Sequence, residues 1–142
     1  TCVRNPIDRL ISHYYFRYYK LYKKKLIEFT DKELDDLMYK NNLCNIITRR
    51  LSGGINDLNI AKLNLPKINY ILVLENINND IMELNKELNK YFKVDFKFKL
   101  GVKNKSKYQK EVINYELKNR LKKYCENDII LYHLIKKNKG LT

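Results

Sequence analysis

Apolar residues recur at helical spacing along most of this chain. Ile7, Leu10, Ile11, Tyr14 and Tyr15 fall on one side of a helix. The residues before them supply its start: Asn5 as N-cap, Pro6 at the position where a missing N–H costs nothing, and Asp8 as an acidic side chain placed to answer the cap. The spacing predicts a first helix from Asn5 or Pro6 to about Ile27. Thr30-Asp31-Lys32-Glu33 is a capping box that opens a second, with Leu34, Leu37 and Met38 inward. A third helix is predicted over 43–51, stopped by Gly53-Gly54, and a short one over 58–65, ended by Pro66. Residues 70–74 are a continuous apolar run suited to a buried strand, and 80–91 have helical spacing through Ile81, Leu84 and Leu88. Residues 94–100 alternate, with Val94, Phe96, Phe98 and Leu100 on one face, and predict an edge strand. Helices over 109–124 and 128–137 close the chain. With Thr1 to Val3 as the end of a strand, the reading is a helix-rich α/β layout with a few parallel strands.

Composition adds a partner class. The 142 residues have the size of one domain, and 44% hydrophobic content can build a core. Lys plus Arg at 29 against Asp plus Glu at 16 gives +13, which points to an anionic partner. The excess is mostly Lys, with abundant Asn, Ile and Tyr and no Trp, which a biased codon pool also produces. The charge therefore suits a sulfated or phosphorylated partner better than nucleic acid without selecting either. Cys2, Cys44 and Cys125 form no metal-binding spacing, and an odd count does not make a disulfide framework. Cys2, in the first strand, reads as a small buried apolar residue. No apolar stretch approaches the ~20 residues needed to span a bilayer, and no signal peptide is present.

The chemistry concentrates at the start. Arg4 stands at the tip of the first strand, Pro6 two residues on, then Arg9, then Ser12 two turns into the helix, followed by Tyr14-Tyr15-Phe16. That is where α/β sheets bind ligands. On spacing alone, the pattern is either an anion site or a strand-to-helix junction whose Arg4 pairs with a surface acid. The segment resembles the 3'-phosphate-binding element of sulfotransferases that use 3'-phosphoadenosine 5'-phosphosulfate (PAPS), most closely the carbohydrate-modifying branch that includes the heparan sulfate 2-O-sulfotransferases. The resemblance implies that Arg4, as a charged fork, and Ser12, as a neutral donor, hold the 3'-phosphate, roles that suit both side chains.

Three further segments follow in the family's order. Asn45-Ile46-Ile47-Thr48-Arg49-Arg50-Leu51-Ser52-Gly53 looks like its N-x-M-T-R-x-L-S-G segment. Val73-Leu74-Glu75-Asn76 is similar to a V-G-x-T-E pattern, keeping the Glu and replacing the Gly and Thr. Asn127-Asp128-Ile129-Ile130-Leu131-Tyr132 looks like the closing Y-D-x-x-L-Y helix. Between the last two lies the basic loop Gly101-Val102-Lys103-Asn104-Lys105-Ser106-Lys107, where relatives close a Lys/Arg/Ser-rich loop over the nucleotide phosphates. By resemblance Lys103, Lys105 and Ser106 take that role; a solvated lysine run is the other reading. Asn104-Lys105-Ser106 is also a glycosylation acceptor pattern, and a glycan there would crowd a phosphate loop.

The resemblance implies the C-terminal part of a P-loop-like sulfotransferase fold, one partial domain over 1–142, acting with PAPS on a carbohydrate or glycosaminoglycan hydroxyl. Its glycines, at 53, 54, 101 and 140, form no phosphosulfate cradle. In relatives that cradle and the catalytic base lie upstream, so no catalytic residue is expected in this chain and it should be inactive alone. His13 is expected to pack or face solvent rather than catalyse, and His133 is a poorer candidate. No metal is implied. Membrane attachment would come only from an anchor outside this chain, with a lumenal Golgi place in a eukaryote and a cytoplasmic one in a bacterium. The competing class is a non-enzymatic basic module binding RNA or another polyanion. It would use the aromatic-basic run from Tyr14 to Lys25, whose rings could stack bases, whose Arg17, Lys20 and Lys24 could attract a glycan, or which could simply be an amphipathic helix with Tyr inward. Arg49 and Arg50 leave the same choice between substrate contact and surface charge.

Overall fold

Two strand tips meet at the start of the first helix, and the remaining helices are arranged to hold that junction. The structure, a computed structural model, describes residues 1–95, 97–98 and 114–141. Strand β1 (Cys2–Val3) pairs in parallel with β2 (Leu72–Val73), with Cys2 opposite Leu72 and Val3 opposite Val73. The Thr1 ammonium donates to the Tyr70 carbonyl at 2.8 Å and Leu72 N–H to the Thr1 carbonyl at 2.7 Å, so pairing extends past the formal ends. Parallel strands need a crossover between them, and here it carries five helices: α1 (Pro6–Arg17), α2 (Tyr19–Tyr22), α3 (Asp31–Lys40), α4 (Ile46–Leu51) and α5 (Leu58–Asn64). After β2 come α6 (Ile77–Phe92), α7 (Tyr115–Lys122) and α8 (Glu126–Asn138). The helix-rich α/β reading is therefore met.

The first helix is shorter than its periodicity suggested. It ends at Arg17, α2 continues for one turn, and Lys23 adopts φ 50°, a left-handed conformation that stops it. The reversal lets Tyr14 donate its hydroxyl to the Lys24 carbonyl and brings Leu26 and Phe29 back over α1. The Thr30 cap is as read: its hydroxyl accepts from Glu33 N–H while Glu33 accepts from Thr30 N–H at 2.7 Å. The third helix starts at Ile46, three residues late, because Asn42 and Asn45 both take positive φ. It stops where expected, Gly53 and Gly54 turning with φ 76° and 102°. Pro66 lies in a 3-10 turn beyond α5, not at its end. The strand expected over 70–74 shrinks to two residues. The edge strand expected over 94–100 is not formed by Val94, Asp95, Lys97 or Phe98. Asn85 on α6 accepts from Phe98 N–H at 3.1 Å, which uses an amide that a ladder would need.

Two apolar clusters result. The larger packs Leu10, Ile11 and Tyr14 of α1 against Leu34 and Met38 of α3 and Leu117 and Leu121 of α7. The smaller joins Val3 and Val73 to Leu65 and to Tyr132 and Ile135 of α8. Cys2 is exposed, contrary to the expectation of burial, because its neighbour Val3 takes the inward side of a strand whose side chains alternate. Cys125 is the buried cysteine.

Candidate functional site

The β1–α1 junction is built by reciprocal capping across the two strand tips. Asn5 Oδ1 accepts from Ile7 N–H at 3.1 Å and Asp8 N–H at 3.2 Å. Asn5 N–H, the group that Asp8 was read as answering, instead donates to Glu75 Oε1 at 2.8 Å, just past β2. The Tyr132 phenol is pushed up to about 12, first by burial and then by the Glu75 carboxylate. With Pro6 carrying no N–H, every amide of the first turn is already used, so an anion here must be held by side chains.

Two polar side chains at this place have no partner among the described residues. Among the described residues the Arg4 guanidinium makes no hydrogen bond and no ion pair. Ser12 is exposed and its hydroxyl has no partner among them. Seven residues beyond Asn5, Ser12 lies on the same helix face, about 10 Å along the axis. Lys103, Lys105 and Ser106 lie outside the described residues.

Arg9 has a different task. It turns inward and donates from Nη2 to Asp128 Oδ2 at 3.0 Å, the aspartate being fully buried. Asp128 Oδ2 also accepts from Ile47 N–H at 3.0 Å, and Oδ1 from Thr48 N–H at 2.7 Å and Thr48 Oγ1 at 2.8 Å. In return Asp128 N–H donates to Asn45 Oδ1 at 3.2 Å. The carboxylate of α8 thus caps α4, because the positive φ of Asn45 turns its side chain away from its own helix. Burial lowers the Arg9 pKa, and Asp128 opposes that shift. Its Nε is buried without a partner among the described residues, so the pair is single-armed.

Asp128, Thr48, Asn45 and Glu75 were legible only as letters in matching segments. Their signal was positional: a polar residue set into an apolar helix, as Asp128 is before Ile129-Ile130-Leu131. Asp80 repeats the device in α6, accepting from Val73 N–H and, at 3.2 Å, from Lys139 Nζ.

His13 is half-buried on α1, its ring 5.9 Å from that of Tyr18. Burial holds it below its ordinary pKa, reinforced by Arg17, Arg9 and Arg50. His133 is exposed on α8. Tyr14 and Tyr15 are buried, which takes the first two rings out of a stacking platform, while Phe16, Leu21 and Tyr22 remain exposed. Among the described residues no cluster of three or more His, Cys, Asp or Glu could hold a metal, and no helix is long and apolar enough to cross a membrane. No protein-family model matches the chain, and no curated protein or solved structure matches it.

Proposed function

We propose that this chain supplies the 3'-phosphate-binding part of a PAPS-dependent sulfotransferase acting on a carbohydrate hydroxyl. The observation that carries the reading is the division of labour within the opening motif. Arg9 is consumed by the buried network, while Arg4 and Ser12, the two residues assigned to the phosphate, are left without protein partners among the described residues. A guanidinium fork just before the helix and a hydroxyl upon it are both donors that suit a phosphate monoester. Convergence supports it further: Arg9, Thr48 and Asp128 come from three of the matching segments and meet in one network, and Glu75 of the fourth accepts from Asn5 N–H beside Arg4.

Bound PAPS would supply the activated sulfuryl group. Arg4 and Ser12 would anchor the far phosphate of the nucleotide and fix its position. Transfer also needs a base for the acceptor hydroxyl and cations at the sulfuryl oxygens. Neither role is assigned to a described residue.

Calorimetric titration of the full chain with adenosine 3',5'-bisphosphate tests this. Saturable binding, weakened roughly tenfold or more by Arg4→Ala and less by Ser12→Ala, with 5'-AMP binding poorly, is the expected result. No binding, or binding indifferent to both substitutions, overturns it. The rival is a basic polyanion-binding module using exposed Phe16 and Tyr22 beside Lys20 and Lys23; an RNA oligonucleotide in the same titration identifies it.

A further inference from the structure

Only six of the 29 basic residues are arginines, and three of those six line one cleft. The cleft, about 430 Å³ and open to solvent, lies between the C-terminal end of α1 and α4 and is lined by His13, Arg17, Asn42, Arg49, Arg50 and Gly54, among others. Among the described residues that line it none is acidic. In a chain that otherwise prefers lysine, composition does not explain three arginines at one concavity. Arginine differs from lysine in its planar fork, which matches the oxygens of sulfate and phosphate.

We infer that this cleft is a second anion site, which takes a sulfate or phosphate group carried on a ligand. It shares no residue with Arg4 and Ser12, so it stands or falls separately from the nucleotide reading. Arg49 is pre-positioned: its Nη1 donates to the Asn42 carbonyl and its Nε to the Gly54 carbonyl, both at 3.3 Å. Those carbonyls belong to turns with positive φ at Asn42 and Gly54, which direct backbone at the guanidinium. Arg17 and Arg50 are exposed and make no ion pair among the described residues. The nearest buried carboxylate, Asp128, is already committed to Arg9, Ile47 and Thr48. The cleft therefore keeps an uncompensated positive field, the condition under which an oxyanion gains most from binding.

His13 reports on the site. The charged groups that face it are Arg9 and Arg17 from α1 and Arg50 from α4, with the Tyr18 ring beside it, and all three charges disfavour its protonation. An oxyanion among them reverses that field. The chain has two histidines, and His133, on α8 and outside the cleft, serves as internal reference.

The test is a proton NMR titration of the two imidazoles in the full chain with sodium sulfate, ionic strength held constant with chloride. The expected result is a saturable rise of about one unit in the His13 midpoint, with His133 unmoved. Arg17→Gln and Arg50→Gln, both on exposed residues, should each weaken the sulfate response roughly tenfold. Glucosamine 6-sulfate and 5'-AMP form separate arms, and the one that binds more tightly than inorganic sulfate identifies the carrier. Arg4→Ala should leave the response intact even where it abolishes adenosine 3',5'-bisphosphate binding. If sulfate acts no differently from chloride, if both histidines move alike, or if Arg50→Gln changes nothing, the site is refuted. If neither carrier gains on the inorganic ion, a ligand body in the cleft is refuted.

Discussion

The Asp128 carboxylate on α8 lies 2.7 Å from the amide and 2.8 Å from the hydroxyl of Thr48, eighty residues earlier in the chain. One buried side chain thereby replaces the cap that Asn45 cannot give its own helix, and it neutralises Arg9 as well. Removing it leaves a guanidinium that is only 22% exposed and two helix amides without acceptors. Asp128→Ala is expected to cost about 3–5 kcal/mol. Arg9→Met should cost less, about 1–2 kcal/mol, since the carboxylate keeps three donors, and Thr48→Val about 1 kcal/mol for one hydroxyl. Urea unfolding of the three variants checks the order; equal losses for Asp128→Ala and Arg9→Met would show that the ion pair, and not the cap, dominates.

The cysteines should separate by accessibility. Cys125 is buried and its thiol is pushed up to about 12, chiefly by burial, so thiolate is scarce and shielded. Cys2 is exposed and Cys44 intermediate, and the Cys44 thiol is also raised, chiefly by burial. Under native conditions a maleimide is expected to label Cys2 first, Cys44 slowly and Cys125 only on unfolding. Mass-spectrometric peptide mapping over time reads the order, and early labelling of Cys125 would contradict the packing of α8 on Pro6, whose carbonyl its sulfur faces at 3.9 Å.

Stability should fall in stages on acidification. His13 has a folded pKa below its ordinary 6.5, chiefly through burial, so as pH drops the unfolded chain takes that proton first and the native state is disfavoured. Its contribution is present above about 6.5 and lost below. Glu33 is held down from 4.5 to about 2, first by its hydrogen bond from Lys24 and then by Thr30. That stabilisation is present above 4.5 and lost as pH falls towards 2; Asp35, lowered by Lys123 and Tyr124, acts in the same sense. Urea midpoints from pH 8 to 3 should therefore be level at first, then decline. His13→Gln is expected to flatten the upper part of the decline and Glu33→Gln to reduce the lower part.

Local signals were readable where side chain and backbone cooperate within a few residues. Asn5, Pro6 and Thr30 cap where their chemistry says, and Gly53-Gly54 stops α4 where it should. Periodicity misled where the chain turns without glycine or proline: Lys23 and Asn45 adopt left-handed conformations that end α2 and delay α4. The nominal strand over 70–74 lost most of its length because β1 supplies only two pairing residues. Arg4 and Ser12 stand out in the sequence because they belong to one local motif, and among the described residues neither side chain has a partner. The scaffold beneath them was not legible, because Asp128 and Glu75 act across 80 and 70 residues and no local pattern encodes such a partner.

Glu75 supplies the sharpest link between that scaffold and the proposed function. Its carboxylate accepts from Asn5 N–H at 2.8 Å, so it fixes the residue next to Arg4. Glu75→Gln keeps an acceptor oxygen and should bind adenosine 3',5'-bisphosphate nearly as well as the parent. Glu75→Ala frees the Asn5 amide and loosens the β1–α1 turn. It is expected to lower stability by about 1–2 kcal/mol and to weaken nucleotide binding severalfold, even though it removes a negative charge from the neighbourhood of an anion. Electrostatics alone predicts the opposite sign, tighter binding on loss of the carboxylate. Calorimetry on both variants at fixed salt decides between positioning and charge, and tighter binding by Glu75→Ala would show that the turn does not need this residue to place Arg4.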